Sequence, residues 1–362
     1  MKYCVTKLTT KSNSNINYIF ENYPHLLEEK IKDSYFIQLL YTLIHKSIKP
    51  LDYTLTTEDT VPFIDFNHFL PENIRQHINE TTYTLYSIQF KIKGNIINVK
   101  LHANKININK YIYFIQLILN MCINESNKNK STYNISFYLT PFEKTKPATS
   151  IDPQHINSGY SKSGEIVIFR KEEWFKVFIH ECFHLFCLDF NKVNIDFKKI
   201  FSVLFFIESD FLFFESLVEF WARTINIAVV SFFTKKNISY EDFESLMEIN
   251  LSIEKVYSII QMNHLLSSLH TSYNEIITKP SNYRETTNAF CYYVLPAILL
   301  THYEQTMAWF VEHNETLLQF AKNTEHVYMF YQYIRSIYKL PLLEMNKKYD
   351  LNMNMSAFDI DF

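Results

Sequence analysis

Residues 174–190 read WFKVFIHECFHLFCLDF. Trp174, Phe175, Val177, Phe178, Ile179, Phe183, Leu185, Phe186, Leu188 and Phe190 leave no polar face, and a helix apolar on all sides is a buried helix. His180, Glu181 and His184 sit inside it, where an unpartnered polar group costs a few kcal/mol. Positions i and i+4 of a helix share a face, so the two imidazoles project together with Glu181 beside them. The spacing H-E-x-x-H therefore offers two nitrogen ligands to one Zn²⁺ ion and a carboxylate that can take a proton from water at the metal. With 13 histidines in 362 residues, the pattern arises by chance only about 0.03 times per chain. Two core histidines hydrogen-bonded to neighbours are the plainer alternative; a zinc site accounts for all three residues at once.

Such a site needs a third protein ligand and an open fourth position. Asp189 follows His184 by five residues near the end of the same helix, poorly placed to fold back onto a metal. FFESLVEFWAR, residues 213–223, carries Glu215 and Glu219 one helical turn apart among aromatics. One carboxylate can ligate the metal while the other accepts the second N–H of a ligand histidine. Glu208, in FFIESDF, is a further candidate ligand, and Glu219 could itself take that role.

Composition limits the function classes. The net charge of −3 argues against a dedicated nucleic-acid binder, and 47% apolar residues suffice for a sizeable core. Five scattered cysteines without CxxC spacing suit an intracellular, cytoplasmic setting. The N-terminal MKYCVTKLTTKSNSN lacks a signal-peptide core, and no apolar run reaches the ~18 residues of a membrane span. Abundant Asn, Ile, Lys, Phe and Tyr beside only 3 glycines suggest an AT-rich genome, such as that of a large DNA virus; a virion or a host cytoplasm is then the expected location.

The pattern along the chain predicts an α+β fold. Residues 1–80 read as an N-terminal helical segment, with HLLEEKIKDSYFIQLLYTLIHKSI amphipathic and KPLDYTLTTEDTVP a polar connector. Residues 81–190 form an α/β lobe: a hairpin about Lys93-Gly94, a helix, two strands (YNISFYLT and EIVIFR) separated by a polar loop over 140–163, and the motif helix. Residues 191–348 read as a helical lobe and 349–362 as a loosely ordered tail. A catalytic cleft is expected between the lobes.

HECFH, ESLVEFWA and a strand just before the motif helix together resemble the gluzincin branch of the zincin metallopeptidases. The histidine-and-glycine extension of the metzincin branch is absent, since Cys187 and Phe190 occupy those positions. The resemblance implies a zincin-like fold and zinc-dependent hydrolysis of peptide bonds in a protein or peptide substrate. It makes His180, His184 and Glu215 the Zn²⁺ ligands, Glu219 a supporting acid and Glu181 the general base. It also implies an edge strand for the substrate, for which Ile166, Val167 and Ile168 are the candidates beside the reading of an ordinary buried strand. An oxyanion stabiliser is expected from Tyr292 or Tyr283, with Arg284, Tyr293 and Tyr160 further choices. The alternative is a zincin-fold scaffold without turnover; the intact Glu181 argues against it. Oligomeric state and cleavage preference are not legible in the chain.

Overall fold

The computed structural model describes residues 6–28, 34–50, 52–128, 131–147, 149–340 and 352–362. Its strands among these are β1 (Lys7–Leu8), β2 (Tyr53–Thr60), β3 (Tyr83–Ile92), β4 (Asn95–Ala103), β5 (Thr132–Tyr138), β6 (Gly159–Lys162), β7 (Glu165–Ile168) and β8 (Ile360–Asp361). Six make one mixed sheet in the order β2-β3-β4-β5-β7-β6, and β1 pairs with β8. With its helices this gives the expected α+β class.

Turn chemistry sets the sheet. Lys93 and Gly94 both have positive φ, 48° and 81°, the requirement of a two-residue type I′ hairpin between β3 and β4. Ser163 and Gly164 repeat it, at 49° and 87°, between β6 and β7. This second hairpin corrects the reading of 140–163 as one loop, and with it the expected substrate edge. Ile166, Val167 and Ile168 lie in β7, which is covered on one side by β5 and on the other by β6. The edge strand is β6, whose GYSK is too short and polar to show alternation. The connector at 50–62 contains β2, every residue of which is exposed or half-exposed. A strand held only by backbone pairing to β3 buries no face, so no period-two signal marks it.

Helix Ile108–Glu125 and the motif helix Trp174–Leu185 pack under the sheet, and helix Phe214–Phe232 crosses the motif helix. Helix Tyr240–Ser268 follows. No helix among the described residues is long and apolar enough to cross a membrane. In the first 80 residues, helices Thr10–Asn22 and Ser34–Ser47 pack on helix Tyr240–Ser268, and one apolar core runs from Ile19 to Ile360.

The tail also departs from expectation over its described part, 352–362. Met353, Asn354, Met355, Ser356, Ala357, Phe358 and Ile360 are all buried. Tyr257 and Gln261 donate hydrogen bonds to the Asn354 carbonyl at 3.2 and 2.8 Å, and Asn226 donates to the Phe358 carbonyl at 2.6 Å. The segment is short and its only strand is the two-residue β8, so its order depends on partners distant in sequence.

Candidate metal centre

Both ends of the motif helix are fixed by local backbone geometry. At the N-terminal end Glu173 adopts a left-handed φ of 54°, and its buried carboxylate accepts Lys144 Nζ at 2.5 Å and the backbone N–H groups of Met355 and Ser356 at 2.9 Å each. At the C-terminal end Cys187 N donates to His184 O at 3.0 Å and Leu188 N to Phe183 O at 2.8 Å, with Cys187 at φ 52°. This is a Schellman cap in which cysteine occupies a position that usually takes glycine. The cap turns the chain back on itself and delivers the buried Asp189 Oδ2 to His184 Nδ1.

The side chains of His180, His184 and Glu215 come together. His180 Nε2 lies 3.0 Å from Glu215 Oε2, His184 Nε2 lies 3.2 Å from the same oxygen, and the two Nε2 atoms are 3.3 Å apart. The outer nitrogens meet carboxylates: His180 Nδ1 is 3.1 Å from Glu219 Oε2, and His184 Nδ1 pairs with Asp189. An ionised carboxylate only accepts, so the hydrogen-bond network assigns a proton to each Nδ1; each Nε2 in turn meets Glu215 Oε2, and a metal ion binding there would take the place of the proton shared between them. Three atoms of ligand type thus face one another. Ligand atoms placed tetrahedrally at about 2.0–2.1 Å from a zinc ion stand about 3.3 Å apart, close to the spacing here. His180, His184 and Glu215 could therefore hold a metal ion, and the donor set of two imidazoles and one carboxylate suits zinc.

Electrostatics support the same focus. Burial would raise the Glu215 carboxyl, but His184 and the hydrogen bonds from both imidazoles bring it down to about 2. Burial would likewise raise Glu219; Lys176, His180 and Arg223 hold it well below the usual carboxylate range. Glu219 is wholly buried and accepts Lys176 Nζ at 2.9 and 3.0 Å and Arg223 Nε at 2.9 Å. Arg223 continues to Ser258 Oγ at 2.8 Å and to the Tyr292 carbonyl at 2.8 Å.

Glu181 is buried on the same helix, and its Oε2 has no hydrogen-bond partner among the described residues. Burial pushes its carboxyl above the usual range, against the pull of His180, His184 and the Ser161 hydroxyl. It lines a cleft of about 310 Å³, open mouth included, with His180, Glu219 and Tyr292. Tyr292 packs edge-on to His180 with centroids 5.6 Å apart. It stands in a π-helical turn, Phe290–Val294, a rare conformation that recurs at functional sites.

The other candidates lie elsewhere. Glu208 is exposed and pairs with Arg284 on the surface, so neither serves the site. Tyr283 is buried and donates to Glu285 at 2.8 Å, while Tyr293 donates to the Met353 carbonyl at 2.6 Å. Tyr160 lies on β6 with its ring 6.4 Å from that of Phe69. Two contributors escaped the sequence reading. Asp189 meets His184 Nδ1 as a partner and not as a ligand, through a capping turn at Cys187 that no glycine marks in the sequence. Lys176 sits one turn before His180, a visible signal given that a buried lysine demands a carboxylate.

Comparison with protein-family models, curated proteins and solved structures finds no match to this chain.

Proposed function

We propose that the chain is a zinc-dependent peptidase of zincin-like fold, of the kind the gluzincin resemblance implies. One observation carries this reading: three atoms of ligand type, His180 Nε2, His184 Nε2 and Glu215 Oε2, converge within 3.0–3.3 Å while both outer imidazole nitrogens are committed to carboxylates. The zinc ion, when bound by these residues, supplies a Lewis acid that activates water and polarises a carbonyl.

This chain's own groups do the rest. Glu219 and Asp189 orient the ligand imidazoles through their Nδ1 protons. Glu181 accepts a proton from the attacking water and hands it to the leaving amine; its Oε2 has no hydrogen-bond partner among the described residues and is open to that exchange. Tyr292, across the cleft, is the donor to the developing oxyanion, and Tyr283, hydrogen-bonded elsewhere, is not.

The substrate is an extended peptide on β6. In a two-residue hairpin the residues flanking the turn form a hydrogen-bonded pair, and such pairs alternate along the strands. Lys162 and Tyr160 thus bond inward to β7, while Gly159 and Ser161 direct N–H and C=O to the free edge, where a peptide can add as a strand. Gly159 also permits the close approach of β6 to the motif helix, since a Cβ there would stand 3.0 Å from Val177 Cγ1.

The test is elemental analysis of freshly purified protein together with a peptide-library digest of wild type and Glu181→Gln. One equivalent of zinc in both proteins, with cleavage reduced about 10²–10⁴-fold in the variant, is the expected result. Protein without zinc affinity, or a variant as active as wild type, refutes the reading.

A further inference from the structure

The cleft extends past the metal ligands, one turn up the motif helix, to a wall formed by Lys144, Ser158 and Lys176. These groups hold more hydrogen-bond donors than the described residues absorb. The Lys144 side chain is wholly buried, and among the described residues its Nζ meets one acceptor, Glu173. An ammonium carries three donors, so two are unspent. Ser158 Oγ is buried and has no partner among the described residues. Lys176 Nζ directs two contacts to Glu219 and a third to Met355 Sδ at 3.2 Å. A thioether sulfur is a weak acceptor, readily outcompeted by oxygen.

Val177, Ile156 and Met355 add apolar surface to the same cleft. Lys144 and Lys176 Nζ bring donors and no acceptor, so a cationic occupant gains no bond from either. An apolar occupant would leave the Lys144 and Ser158 donors unpaired, which is costly in a buried site. A carboxylate brings about four acceptor sites and a charge that strengthens each bond, so it meets the unspent donors together.

We propose that Lys144, Ser158 and Lys176 form a subsite for a substrate carboxylate placed beside the scissile bond. The inference rests on the peptidase reading and adds to it a specificity. The carboxylate comes from an Asp or Glu side chain or from the free end of the substrate main chain. The cleft shares His180 and Glu181 with the metal centre, so the occupied residue is adjacent to the bond that is cut.

Two experiments test this. A library of peptides with free and amidated C-termini is digested by zinc-loaded wild type, and cleavage sites are read by mass spectrometry. Enrichment of Asp and Glu at one flanking position by about tenfold or more identifies the side-chain source. Cleavage confined to bonds near a free C-terminus identifies the main-chain source. Cleavage without either preference overturns the subsite and leaves the peptidase reading intact; no cleavage of any peptide overturns both.

The second experiment uses metal-free protein, so that a carboxylate cannot bind through zinc. N-acetylglutamate α-amide, N-acetylglycine and N-acetylglutamine α-amide are titrated by NMR. Binding of either carboxylate at least about tenfold tighter than the neutral amide, weakened about 10-fold by Ser158→Ala, supports the subsite. The double variant Lys144→Met with Glu173→Gln keeps the buried charge balanced and is expected to abolish the preference. Equal affinity for all three probes, or a preference that survives both variants, overturns it.

Discussion

Glu219→Gln isolates what the buried charges around the candidate metal centre contribute. The substitution keeps the side-chain shape but exchanges one acceptor oxygen for an amide that donates. Glu219 accepts from Lys176, Arg223 and His180 within 2.9–3.1 Å and is wholly shielded from water. The amide must therefore turn its N–H groups toward at least one of these donors, and two buried cations lose their counter-charge. Removing one partner of a buried ion pair costs about 3–5 kcal/mol. Unfolding entropy of about 2.1 cal/mol/K per residue over 362 residues gives about 0.76 kcal/mol per degree, so Tm should fall by about 4–7 °C. His180 also loses the negative charge at Nδ1, which should weaken zinc binding about 10–100-fold. The assay is thermal unfolding of the metal-free protein, followed by zinc titration against a competing chelator. A metal-free variant melting within 1 °C of wild type, by ~0.8 kcal/mol on the same arithmetic, would show that the network carries no net stability. Zinc affinity unchanged within about twofold would show that Glu219 does not support His180. Glu219→Ala would disrupt folding as well as the candidate metal site, because it removes the carboxylate that Lys176 and Arg223 share.

Three further outcomes are expected. Asp189→Asn should lower zinc affinity about 10-fold with little change in the fold, read by the same chelator titration, since it keeps an acceptor for His184 Nδ1 but removes its charge. Deleting 352–362 should lower Tm by more than Glu219→Gln does, because Glu173 and Glu254 each lose backbone N–H donors from that segment; a deletion variant melting with wild type would refute the role given to it. Stability should decline as pH rises from about 5 to 8: burial lifts Glu254 and Glu285 to about 7 and Asp359 to about 8, so the folded state holds protons that the unfolded chain releases above its ordinary carboxylate range. Urea midpoints measured across that window check the sign, and Glu254→Gln should flatten the slope.

The sequence by itself determined the motif helix, the two imidazoles on one of its faces, and the pair of glutamates on a second apolar helix. These features depend on spacing along one element: i and i+4 share a face wherever the helix goes, and polar residues inside a greasy run declare that something must satisfy them. The Lys93-Gly94 hairpin was legible for the same reason, since a turn with two positive φ angles is a local demand. Tertiary structure alone decided the rest. β6 is the sheet edge because Ser163 and Gly164 fold GYSK against β7, a pairing that four polar residues do not advertise. Asp189 reaches His184 through a capping turn on a cysteine, and Lys144 and the 352–362 segment reach the motif helix from other parts of the chain. Which of Glu208, Glu215 and Glu219 met the imidazoles was likewise a question of helix crossing. Periodicity records which face of an element is buried; it does not record which distant polar group waits on the other side, because that choice is made by packing and by the need to pair every buried charge.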